Sequence, residues 1–125
     1  MSILIYEKID DFIEKLSTLE KTTAIYITVV HSKQDDAHVA SIRLQYLSDD
    51  LVFHTFNYKE NIKPIRLIDP GVFSLIPDEK QQVIAQKTYE AEIDAFNESV
   101  HAEYEKAKDL FTRMGYMKIV NAYAV

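Results

Sequence analysis

Residues 22–58 read TTAIYITVVHSKQDDAHVASIRLQYLSDDLVFHTFNY, and this stretch decides the fold. Thr22 to His31 is rich in β-branched and aromatic side chains, the composition of a strand. The polar run Ser32 to Asp36 reads as a hairpin loop. From Ala37 to Leu47 the chain alternates, with His38, Ala40, Ile42, Leu44 and Tyr46 on one face and Val39, Ser41, Arg43 and Gln45 on the other. A period of two is a strand, and the contrast between its faces implies a sheet covered on one side and wetter on the other. Ser48-Asp49-Asp50 supplies a second turn, and Leu51 to Tyr58 a third strand.

Toward the N-terminus, residues 2–6 are apolar throughout (Ile3, Leu4, Ile5, Tyr6), which predicts a strand interior to the sheet. Residues 8–20 follow as a helix, because Ile9, Phe12, Ile13, Leu16 and Leu19 form one stripe at helical spacing. Asp10, Asp11 and Glu14 sit early and on its outer face, where carboxylates suit the helix dipole.

Toward the C-terminus, residues 59–77 hold Pro64, Pro70, Pro77 and Gly71. Short strands are expected at 65–68 and 72–76, around an Asp69-Pro70-Gly71 turn. Asp78 to Met114 is helical by pattern, with Pro77 before it and Gly115 after it as a left-handed cap. Such a helix would run about 55 Å, against a radius of gyration of about 14 Å for a compact domain of this size. It must therefore overhang or break, and Asn97 and Ser99 mark the expected break. Tyr89, Ile93, Phe96 and Val100, then Tyr104, Ala107, Phe111 and Met114, form a heptad seam with one irregularity. Residues 116–124 close the chain as a strand. The order predicts a single α+β domain over residues 1–125. Its expected form is a ferredoxin-like β-α-β-β-α-β arrangement, an antiparallel sheet with two helices on one face, extra central strands, and a long C-terminal helix followed by a final strand.

Composition narrows the chemistry. The 125 residues fit one domain, and 47% hydrophobic with 27% charged residues is ordinary for a globular chain. Fourteen basic against twenty acidic residues give a net charge of −6, which argues against a nucleic-acid partner. The absence of cysteine excludes disulfides, thiolate metal sites and thiol nucleophiles. Two glycines are too few for a phosphate-cradling loop. The apolar run at residues 3–6 is closed by Glu7-Lys8, too short for a signal peptide or a membrane span. A cytoplasmic location, no membrane association and no cofactor are the expectations.

Four groups of residues carry chemistry that can be weighed. Glu90 to Glu105 holds six acids (Glu90, Glu92, Asp94, Glu98, Glu103 and Glu105) and no lysine or arginine. It contains one Glu98-x-x-His101 pair, whereas a di-iron site needs two such pairs and further glutamates. The plainer reading is a solvated helix face, with no tight metal binding at His101. Asp69, Asp78 and Lys80 loosely resemble a metal-dependent nuclease pattern, in which two carboxylates hold Mg²⁺ and a lysine positions water; acids at helix starts are also expected for capping. His31 and His38 flank the first hairpin loop with Asp35 and Asp36 nearby, either a set of metal donors or exposed polar residues at a hairpin end. His54 lies among strand aromatics and reads as a hydrogen-bonded sheet residue.

The functional expectation is a non-enzymatic protein-binding or regulatory module. It acts as a homodimer through the long-helix stripe Phe96, Val100, Tyr104, Phe111 and Met114. The alternatives are a metal-dependent hydrolase or nuclease using Asp69, Asp78 and Lys80, and an acidic inhibitor presenting Glu90–Glu105 to a basic protein partner.

Overall fold

A computed structural model of the chain describes residues 2–123. In order these form β1 (Ser2–Tyr6), α1 (Ile9–Leu16), β2 (Ile25–Gln34), β3 (Ala37–Leu47), β4 (Val52–Tyr58), β5 (Ile65–Arg66), a 3-10 helix (Pro70–Leu75), α2 (Glu79–Arg113) and β6 (Ile119–Tyr123). The strand order is β1-β4-β3-β2-β6, with β5 pairing the start of β3 beyond the end of β4. β2-β3-β4 is an antiparallel meander, while β1 joins β4 and β6 joins β2 in parallel. β3 therefore runs against every other strand. The α+β class and the long helix followed by a strand hold. The purely antiparallel, ferredoxin-like sheet does not, because a helical crossover brings each flanking strand back parallel to its neighbour. β1 is an edge strand rather than an interior one.

The alternation in β3 places the core. Ala40, Ile42, Leu44 and Tyr46 are buried, beside Ile25 and Ile27 of β2 and Phe56 of β4. Both helices cover this face: Phe12 of α1 meets Tyr46 at 5.0 Å between ring centres, Phe56 at 6.3 Å and Phe111 of α2 at 6.4 Å. The opposite face bears no helix and carries polar cross-strand pairs, Gln45 to Thr55 at 3.0 Å and Arg43 to Asn57 at 3.4 Å.

Element ends follow local chemistry. α1 stops at Leu16, short of the expected residue 20. The Ser17 and Thr18 hydroxyls donate to the carbonyls of Glu14 and Lys15 and satisfy groups a further turn would have used. The first hairpin turns on Asp35 and Asp36 alone, with Gln34 opposite Ala37 and Asp35 at φ +55°, a conformation aspartate tolerates. The expected strand at 72–76 is instead 3-10: the Asp69 carboxylate accepts from Gly71 N at 2.9 Å and proline takes the first position.

α2 is one unbroken helix. Ser99, expected at a break, donates its hydroxyl to the Ala95 carbonyl at 2.9 Å and stays within the helix. The C-terminal stop is as expected. Gly115 adopts φ +95°, Tyr116 N donates to Phe111 O and Gly115 N to Thr112 O, the two bonds of a Schellman cap. Tyr116 is buried and donates its hydroxyl to Leu16 O at 3.2 Å, tying the end of α2 to α1. The expected final strand at 116–124 begins at Ile119, and its last residue lies outside the described ones.

Candidate interaction surface

The 35 residues of α2 span about 52 Å, whereas β2, the second-longest strand, spans about 33 Å. The sheet therefore covers only part of the helix. The buried residues of α2 begin at Phe96 and continue through Val100, Glu103 and Phe111. None lies between Glu79 and Ala95, where the helix is flanked by β5 and the 3-10 segment.

That overhang is built with care. Asp78 caps it, its carboxylate accepting from Lys80 N at 2.9 Å, and the Gln82 amide donates to Ile76 O at 2.5 Å. Tyr89 pins the 3-10 segment: its hydroxyl accepts from Ile68 N at 3.0 Å, and its ring lies 5.8 Å from that of Phe73. On this ordered frame stand Leu67, Val72 and Leu75 from the connecting segment and Val83 and Ile84 from the helix. Each is about half exposed or more, reaching 78% at Leu75. Apolar side chains scattered singly on a surface are ordinary; five on two neighbouring elements make this end a candidate contact surface.

The expected stripe lies on the part of α2 that the sheet covers. Phe96, Val100 and Phe111 are buried against the chain's own sheet, and Tyr104 and Met114 are half-buried beside them. The seam continues into the overhang through Ile93 and Tyr89 to Ala85 and Gln82, while Val83 and Ile84 lie roughly 120–140° away around the helix. Spacing alone could not say where the sheet would end beneath the helix.

Asp69 and Asp78 are separated by the 3-10 helix, and each carboxylate already accepts a backbone amide at its own helix start. Among the described residues no three or more His, Asp or Glu side chains gather into a metal-holding group. Of the acids at 90–105, five are exposed, while Glu103 is buried and its Oε1 accepts the Lys106 ammonium at 3.1 Å. Its other oxygen makes no hydrogen bond within the described residues, and the Tyr58 hydroxyl is pushed up by burial and by this carboxylate. Glu103 was legible only as one more acid.

The histidines separate into two settings. His54 is buried in the core, hydrogen-bonded through Nδ1 to the Tyr6 hydroxyl at 2.7 Å and stacked on Tyr46 at 4.7 Å. Burial holds it below the ordinary imidazole range. His31 Nδ1 and His38 Nε2 lie 2.9 Å apart at the hairpin end. His31 is also lowered, first by burial and then by its neighbour His38. No family model, curated protein or solved structure matches the chain.

Proposed function

We propose that the protein is a non-enzymatic protein-binding or regulatory module that works as a homodimer, with the overhang of α2 and its 3-10 flank as the contact. The observation that carries this reading is the exposure of Leu67, Val72, Leu75, Val83 and Ile84 on the overhang and its 3-10 flank. Surface of this kind costs roughly 25 cal/mol per Å² when left in water, and a two-fold copy is the commonest cover. Charge supports an antiparallel crossing. With Ile84 and Ala85 near the axis, Lys80 of one copy faces Glu90 of the other, twice over, whereas a parallel pairing sets like charges side by side.

A second reading has its own observation. β1 exposes Ile3 and Ile5 at 66% each, and its outer main-chain edge pairs with no described strand. An apolar edge is a template for another strand, so two copies of β1 would join the sheets edge to edge. Sedimentation separates the two. Under the first reading Ile84→Glu with Leu75→Glu converts a dimer to monomer, and Ile5→Lys leaves it dimeric; under the second the outcomes exchange. A wild type that is monomeric at micromolar concentration removes both.

The alternatives draw less from the geometry. The Asp69 and Asp78 carboxylates are occupied as caps, and the burial of Glu103 takes one acid from the face an inhibitor would present. No helix is long and apolar enough to cross a membrane among the described residues.

A further inference from the structure

The end of the β2–β3 hairpin holds two imidazoles in contact. His31 Nδ1 and His38 Nε2 lie 2.9 Å apart, a hydrogen bond in which one ring donates and the other accepts. His38 is half-buried, and its ring stands edge-on to that of Phe96 in α2 at 5.5 Å. Across the sheet it lies opposite Ile65, and β5 is paired to β3 only at Ala37 and His38. Opposed residues share a face, so the His38 ring and the Ile65 side chain are neighbours. Ile65 packs against the core, and the chain after β5 carries Leu67, Val72 and Leu75. His38 thus touches its partner His31, the covered part of α2, and the short strand that leads into the 3-10 segment.

We infer that the pair is an acid-sensitive clasp on β5: its hydrogen bond survives one added proton and is broken by a second, which frees His38 from Phe96 and loosens β5 from β3. The proton count carries this. In the neutral pair one facing nitrogen bears a hydrogen and the other a lone pair. The first added proton goes to the outer nitrogen of the donating ring, which leaves the bond in place and makes it charge-assisted. The second can go only to the accepting nitrogen. Both rings then point N–H groups at each other across 2.9 Å, carry like charge, and part. The pair therefore titrates in two separated steps that belong to it jointly. His31 is already lowered, by burial first and by His38 second.

The charged groups around the pair do not favour either sign. Lys33 is opposite His38 on β2, Arg66 follows Ile65 on β5, and Asp35 and Asp36 form the turn. From α2, His101, Glu105 and Lys108 line the same cleft as His31, and Glu92 lies in the groove with Phe96 and Ile65. Both signs occur on each side, and neither ring makes an ion pair among the described residues. Repulsion within the pair sets the lower step.

The test is a nuclear magnetic resonance titration of the full chain from pH 7.5 to 4.5, at a concentration that keeps it monomeric. Imidazole nitrogen signals report protonation. Cross-relaxation between the His38 and Phe96 rings, and amide exchange at Ile65 and Arg66 corrected for its intrinsic pH dependence, report the clasp. The wild-type pair should titrate in two steps about one pH unit or more apart. The ring contact should persist through the upper step and disappear with the lower, with about tenfold loss of amide protection at β5. His31→Gln should leave a single step at His38 and keep contact and protection to pH 4.5, and His101→Gln should behave as the wild type. His54 is common to all three proteins, so its own acid effect cancels. Two steps within about half a unit of each other, a ring contact that persists through both, or loss of contact in His31→Gln at the wild-type pH would each overturn it.

Discussion

The two halves of α2 share one helical register and have opposite surroundings. From Phe96 onward the helix is fastened to the sheet, with Phe111 buried between Phe12 and Tyr116 and the Schellman cap locking its end. From Glu79 to Ala95 the helix runs past the sheet, and Val83 and Ile84, which lie off the seam, stand in solvent. Apolar spacing therefore specifies a face but not a partner. Within one helix, the face from Phe96 onward is buried by the chain itself, while the half before it keeps exposed apolar side chains.

The largest effect should come from breaking the fastened half. Phe111→Ala should cost about 3–5 kcal/mol, as should Phe12→Ala. Because the rings touch, the double variant should cost less than the sum. Chemical denaturation measures all three, and against a total of about 5–15 kcal/mol either single change is conspicuous. An unchanged midpoint for Phe12→Ala would place α1 outside the core.

Acid should distinguish the halves next. His54 of β4 lies between Tyr6 and Tyr46 on the α1 side of the core, away from the overhang, and is held below its ordinary value, so the unfolded chain takes up a proton first. Its contribution is fully present above the unfolded value of about 6.5. That contribution falls as the pH drops from there to the depressed folded value, and is flat below. Melting curves between pH 7.5 and 5 should show this decline, and His54→Gln should flatten it. Hydrogen exchange should locate the acid loosening around β1 and β4, with little change at Val83 and Ile84.

The free half should be nearly indifferent to truncation in the monomer. Ile84→Ala or Val83→Ala should change stability by no more than about 0.5 kcal/mol at concentrations that keep the chain monomeric, while weakening association. A position remote from both halves sets the floor. Leu51 sits at φ +61°, where a branched side chain is strained, and Leu51→Gly should be neutral to stabilising by up to about 1 kcal/mol. Thermal unfolding measures each.

What was legible in the sequence follows the same division. Period-two alternation located β3 and its buried face, and Gly115 announced the end of α2, because both signals are local. The place of β1 was not legible: Ile3, Leu4 and Ile5 are equally apolar whether two strands flank them or one. Nor was the sheet order, since parallel return of the flanking strands depends on where each crossover lands. The surface at Leu67, Val72 and Leu75 lay hidden in a proline-punctuated stretch that reads as strand, where Asp69 and Pro70 in fact start a 3-10 turn. His31 and His38 were legible as neighbours, but a two-residue turn, not a five-residue loop, sets the register that brings their nitrogens together.

The absence of cysteine allows the central claim to be tested with a single label. Gln81→Cys places a nitroxide on the overhang, and Asn57→Cys places one on the uncovered sheet face, beside the β1 edge strand. Dipolar spectroscopy at dimer-forming concentration should give a short, defined inter-chain distance from Gln81→Cys and a much longer one from Asn57→Cys. Background alone from Gln81→Cys, or a shorter distance from Asn57→Cys than from Gln81→Cys, would contradict a dimer built on the free half of α2.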